Sequence, residues 1–177
     1  KNAIANIVAL KAKAVENLKN SGVEVIEAKD GHEARAAIEK ILAGKQRIIK
    51  SKSNVFNEIE EEGFLADKEV VETDLGDFLV QMFEEKESHP VLPALHLPPE
   101  AISKKIKEKF NAEVAAEPAA IASFVRDRLR KKITVAEAGI SGANVICADG
   151  KIFILENEGN ISLVSRWPDI HIIVAGF

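Results

Sequence analysis

Three short segments gather the side chains that can hold or transform a small ligand. Lys50-Ser51-Lys52-Ser53-Asn54 sets two ammonium groups among hydroxyls and an amide. It follows the apolar pair Ile48-Ile49 and leads into a helical pattern. Helix-start N–H groups and lysines at a strand end suit a phosphate or a carboxylate. A helix cap flanked by solvated lysines would use the same residues. Gly139-Ile140-Ser141-Gly142-Ala143-Asn144 places glycines around a serine, which permits tight backbone geometry and close approach to a ligand. It is not a dinucleotide fingerprint, because it precedes a strand pattern instead of opening a helix. A plain turn is the competing reading. Glu156-Asn157-Glu158-Gly159-Asn160 carries carboxylates two apart. Such a pair can do acid–base or covalent chemistry or bind metal, and it equally suits an exposed turn.

The remaining reactive side chains are more scattered. His89 and His96 flank prolines, seven residues apart, and no further residues complete a metal-ligand set with them. His171 and Cys147 fall inside apolar runs, where a satisfied sheet imidazole and a buried, inert thiol are expected. Trp167, before Pro168, is expected to pack. No metal site is expected from this chain.

Alternating helix and strand patterns must position these segments. Ile4, Val8, Val15 and Leu18 share one helical face, and Gly22 is a natural stop. Residues 23–28 read as a short strand. Asp30 and Glu33 resemble a capping box, with Ala34, Ile38, Ile41 and Leu42 on the stripe behind it. Residues 47–50 read as a buried strand. Val55 and Ile59 mark a brief helix closed by Gly63. Val70 and Val71 mark a third strand, and Asp74 with Asp77 opens another helix. Such alternation predicts an α/β fold with a mostly parallel sheet flanked by helices.

Residues 84–99 hold four of the six prolines and read as an extended loop. Pro99 and Pro118 suit first helical turns ahead of Ile102, Ile106 and Phe110, and of Ile121, Val125 and Leu129. The final third reads as an antiparallel C-terminal part: a strand over 143–148, a turn at Asp149-Gly150, a strand over 151–155, and a last strand over 170–175.

Composition narrows the function classes. The chain has 177 residues, enough for one domain with a core, and a net charge of −4. That balance gives no general pull toward nucleic acid or anionic lipid. The nine basic and five acidic residues of 99–132 nevertheless make a local +4 region. It fits a solvated helix end or a patch for an anion or an acidic partner. Its basic residues lack interleaved aromatics, so nucleic-acid binding is not expected. One cysteine excludes an internal disulfide and any iron–sulfur cluster built from this chain alone. No apolar run reaches the roughly 18 residues of a membrane helix. The chain starts at Lys1 and stops after an apolar run, and so reads as one domain trimmed at both ends.

Five motifs together resemble the LUD domain of lactate-utilisation proteins, most closely the iron–sulfur-protein branch. They are Ile49-Lys50-Ser51-Lys52-Ser53, Glu72-Thr73-Asp74-Leu75-Gly76-Asp77-Phe78, Ser88-His89 with Pro93-Ala94-Leu95-His96, residues 139–144, and Asn157-Glu158-Gly159-Asn160. The resemblance implies a fold like that of the sugar-phosphate isomerase and CoA-transferase superfamily. It implies a cytoplasmic role in oxidising lactate to pyruvate within a complex of lactate-utilisation subunits. In that branch a cysteine-rich region binds four-iron, four-sulfur (4Fe–4S) clusters. That region is absent here, so any cluster would belong to a missing C-terminal segment or a partner subunit. By analogy of fold, Glu158 resembles the CoA-transferase nucleophile.

The leading expectation is a domain that binds a small anionic ligand (a carboxylate, a phosphate or a CoA-like molecule) and supports an oxidoreductase complex. Lys50 and Lys52 would neutralise charge, and Ser53 and Ser141 would donate hydrogen bonds. Asn144 and Asn160 would orient the ligand, with Asn54, Gly139, Gly142 and Gly159 lining the site. Alternatives are a stand-alone CoA-transferase-like or sugar-phosphate-isomerase-like enzyme with Glu158 as nucleophile or base, and a non-catalytic scaffold subunit. Oligomerisation is compatible with each.

Overall fold

A computed structural model of the chain describes residues 2–61, 64–85, 88–89, 92–156 and 159–176. Helices α1 (Asn2–Ala5), α2 (Ile7–Asn20) and α3 (Gly31–Ile41) lead into β1 (Arg47–Lys50). Then come α4 (Asn54–Ile59), β2 (Glu69–Glu72), α5 (Leu75–Phe83), α6 (Pro99–Phe110) and α7 (Pro118–Ile133). The chain continues through β3 (Ala138–Gly142), β4 (Val145–Ile146), β5 (Ile152–Phe153), α8 (Asn160–Arg166) and β6 (Ile170–Val174).

Four strands form one parallel sheet in the order β2-β1-β3-β6. From the central strand β1 the chain moves outward to β2, then returns to place β3 on the other side. The order therefore reverses between β1 and β3. In open α/β sheets that reversal opens a crevice at the carboxyl ends of the two strands.

Strand alternation divides the core between the two faces. Ile48, Ala138 and Ile140 meet Ile38 and Leu42 at the α3 end and Phe56 of α4 on one face. Ile49 and Val71 meet α5 through α8 on the other. Both faces are covered, as a parallel sheet requires. The second face demands a thin β3. A Cβ on Gly139 would stand 2.1 Å from the Val164 carbonyl oxygen of α8. A side chain in that place would force the helix off the sheet.

The helix boundaries follow local signals. Asp30 accepts from the Glu33 N–H at 2.9 Å, and Glu33 answers by accepting from Lys29 N–H at 3.0 Å. Gly22, at φ +84°, ends α2 in a Schellman arrangement, with Val23 N–H donating to Leu18 C=O and Gly22 N–H to Lys19 C=O. Pro99 and Pro118 start α6 and α7. Gly63 lies outside the described residues.

Several expectations are corrected. Residues 23–28 make no strand; Val23 and Ile26 are exposed, so no buried face holds that segment against the sheet. The expected single helix is divided into α1 and α2, and of its apolar stripe only Leu18 is buried, while Ile4 of α1 and Val8 are exposed. The C-terminal end of α2 is held by the hairpin, where Asn17 Nδ2 donates to Ala148 C=O at 2.8 Å. The β4–β5 hairpin forms a separate two-stranded sheet instead of extending the main one. Cys147 lies at its turn and is half-buried, and Trp167 is largely exposed.

Substituting Gly139→Ala should destabilise the protein by ~3 kcal/mol or more, because the new methyl meets backbone that cannot swing away. Chemical denaturation of the variant measures this directly; a change below about 1 kcal/mol would mean that α8 can shift freely on β3.

Candidate functional site

Lys50 ends β1 on the α4 face, directly opposite Glu72 in the parallel register. Its ammonium is buried, 2.5 Å from Glu72 Oε1; it donates to Asn57 Oδ1 at 3.0 Å and lies 5.0 Å from the Phe56 ring centroid. Burying both charges is tolerable only because they are paired and hydrogen-bonded. Desolvation still dominates for Glu72: burial pushes its carboxyl up from 4.5 to about 7, although Lys50 pulls the other way. Its second oxygen, Oε2, has no hydrogen-bond partner among the described residues.

The next residue points to the opposite face. Ser51 is fully buried, its N–H donates to Ile140 C=O at 2.9 Å, and its hydroxyl lacks a partner among the described residues. Buried polar atoms of this kind call for a water or a ligand group. Lys52 is only partly buried and stands 3.4 Å from Asp77, a buried residue of the first turn of α5. Of the two lysines, Lys52 is the more exposed and the more loosely paired.

Ser53 caps α4, accepting from Phe56 N–H at 3.2 Å, and Asn54 begins the helix exposed. The loop after β3 presses against this cap: a Cβ on Gly142 would stand 2.8 Å from Ser53 Oγ. The third segment arrives through Asn160, the buried first residue of α8. Its amide Nδ2 donates to Thr73 Oγ1 at 3.4 Å, and Thr73 Oγ1 donates to Lys50 C=O at 2.9 Å. The three segments thus converge on the carboxyl ends of β1, β2 and β3.

Other residues of those segments serve the framework. Gly139 lies beneath α8 in mid-strand. Ser141 is buried, with Oγ 2.8 Å from His171 Nε2, and burial holds that imidazole below its ordinary value and hence neutral near pH 7. Asn144 Oδ1 accepts from Leu155 N–H at 2.8 Å and belongs to the hairpin. Glu156 accepts from Ser162 N–H at 3.1 Å and its hydroxyl at 2.6 Å, fastening the first turn of α8, while Gly159 caps that helix at φ +76°. Asn157 and Glu158 lie outside the described residues. His89 Nδ1 accepts from Leu92 N–H at 3.2 Å, and His96 pairs with Glu85 at 2.9 Å.

The residues present do not fit an iron–sulfur cluster. The one cysteine stands alone at a hairpin turn, and among the described residues no three histidine, cysteine or carboxylate side chains are grouped for a metal.

Reading the sequence missed Glu72, Thr73, Asp77 and Asn57 as members of this cluster. Glu72 and Asp77 carry the signal of charged residues beside an apolar strand and a helix start. Only the β1–β2 register pairs Glu72 with Lys50.

A parallel α/β sheet with lysines, carboxylates and buried hydroxyls at its strand ends defines the class. The chain matches the LUD domain over residues 11–177 and belongs to that family. It is 40% identical over 167 residues to lactate utilization protein B of Bacillus pumilus (strain SAFR-032). It is 37% identical over 167 residues to the protein of that name from Shouchella clausii, and 36% over 167 residues to the one from Macrococcus caseolyticus. Each match covers 91% of this chain and 35% of the relative, so the chain spans about a third of the length of these curated relatives. No solved structure matches it. No described helix is long and apolar enough to cross a membrane.

The raised Glu72 value has a consequence for stability. Between its unfolded value near 4.5 and about 7 the folded state holds the extra proton, so this group's contribution falls as pH rises through that window. Glu72→Gln keeps the shape of the protonated acid and removes the titration. Wild type minus variant unfolding free energy should fall from pH 4.5 to 7.5, by on the order of 2–3 kcal/mol. A flat difference in urea titrations would place Glu72 at an ordinary value.

Proposed function

We infer that this LUD domain binds a small anionic ligand where the ends of β1, β2 and β3 meet, and that through this site it serves lactate utilisation. The observation that carries the reading is the pairing of Lys52, partly exposed and held by Asp77 only at 3.4 Å, with the buried hydroxyl of Ser51 beside it, which lacks a partner among the described residues. One supplies charge and the other an unused hydrogen bond.

The ligand class follows from these groups. A carboxylate or phosphate oxygen would accept from the Lys52 ammonium and from Ser51 Oγ–H. Lys50 would act indirectly: already engaged by Glu72 and Asn57, it sets the field at the strand ends. Glu72, with its carboxyl near neutrality, can exchange a proton at physiological pH, which suits a hydroxyl-bearing carboxylate. The relatives' name, lactate utilization protein B, agrees with such a ligand. In this reading the domain works in the cytoplasm beside other lactate-utilisation subunits, and electron-carrying clusters are held outside this chain. No step is assigned to Glu158.

Isothermal titration calorimetry with lactate, pyruvate and inorganic phosphate tests the site. At least one should bind saturably, and Lys52→Ala should weaken it tenfold or more, while Lys104→Ala on the exposed side of α6 leaves it unchanged. No saturable heat from any of the three, or equal binding by Lys52→Ala and wild type, would sink the proposal.

A further inference from the structure

A groove of about 260 Å3 lies along the outer edge of β2, on the side turned away from β1. Buried Val71, Phe78 and Met82 contribute its apolar lining, and Lys109, Arg128 and Lys132 supply its basic groups. Lys109 is paired with Glu84 and Lys132 with Glu69. Arg128 differs. Among the described residues no carboxylate meets its guanidinium, which is half-buried and lies 3.6 Å from the Phe110 ring centroid. Stacking occupies the face of a guanidinium and leaves its in-plane N–H donors for an acceptor.

The strand edge beside this groove carries a second sign. β2 ends the sheet, so Val70 C=O and Glu72 N–H face away from β1. Gln81 takes both: its Nε2 donates to Val70 C=O at 2.7 Å and its Oε1 accepts from Glu72 N–H at 3.1 Å. One side-chain amide thus makes the two bonds that one residue of an added parallel strand would make. Such a cover protects an edge, and it also marks a place where a strand fits.

We propose that this groove binds an extended acidic peptide segment of a partner protein, which displaces Gln81 and adds to the outer edge of β2. A carboxylate of the segment meets Arg128, and an apolar side chain lies on Val71, Phe78 and Met82. Charge complementarity selects the occupant: residues 99–132 carry +4 in a chain whose total is −4. An open groove along a strand edge favours an extended chain over a compact small molecule, which needs enclosure.

Fluorescence anisotropy on the full chain with a fluorescein-labelled octapeptide of alternating Glu and Val tests this, with alternating Lys and Val as the control. Only the acidic peptide should bind saturably. Arg128→Ala should weaken it tenfold or more. Arg126→Ala, the same charge change at an exposed position of the same helix, should alter it less than twofold. Gln81→Ala should tighten binding several-fold by freeing the edge, with circular dichroism confirming the fold of each variant. Equal losses from the two arginine variants would mean diffuse charge attraction and overturn the proposal. So would weaker or unchanged binding by Gln81→Ala, or saturable binding of inorganic phosphate at Arg128 with none of the peptide.

Discussion

A lysine and a glutamate face each other across the first two strands, both withdrawn from water. Taking either charge alone into the interior costs several kcal/mol, so each depends on the other. Their meeting requires the β1–β2 ladder to hold Lys50 opposite Glu72, and a one-residue slip of either strand would put the two side chains on opposite faces. The same ladder lets Lys50 C=O accept from both Thr73 N–H and Thr73 Oγ1, which in turn receives Asn160 from α8. The β1–β3 register brings Ser51 against Ile140. Pairing of the central strand therefore governs the ion pair, the seating of α8 and the convergence of the polar loops together.

Small residues of β3 make that arrangement possible. β3 is thin at Gly139, so α8 comes down onto it, and thin at Gly142, so its loop reaches the Ser53 cap. Glycines that read as ligand-approach residues thus do different work in the folded chain. Gly139 admits a helix, and Gly142 admits a neighbouring loop.

Much of the architecture is legible from local pattern. The strands at 47–50 and 170–174, the proline-started helices α6 and α7, and the Asp30 cap follow from signals within a few residues of each other. Residues 23–28 and the α2 stripe mislead for a common reason. Apolar periodicity says which side chains want cover and not whether another element supplies it. Ile4, Val8, Val23 and Ile26 lack that cover among the described residues. The hairpin was legible as a hairpin, but its separation from the main sheet depends on where β3 and β6 pair.

The sequence by itself determined most of the element types, the parallel α/β class, the family and the three polar segments, because each rests on residues near one another in the chain or on their order along it. Only the tertiary structure decided which charges meet. Lys50 and Glu72 are 22 positions apart, Asn160 and Thr73 are 87 apart, and Ser141 and His171 are 30 apart. No local signal carries strand register, and register is what sets Lys50 against Glu72, buries that carboxyl and lifts it to about 7.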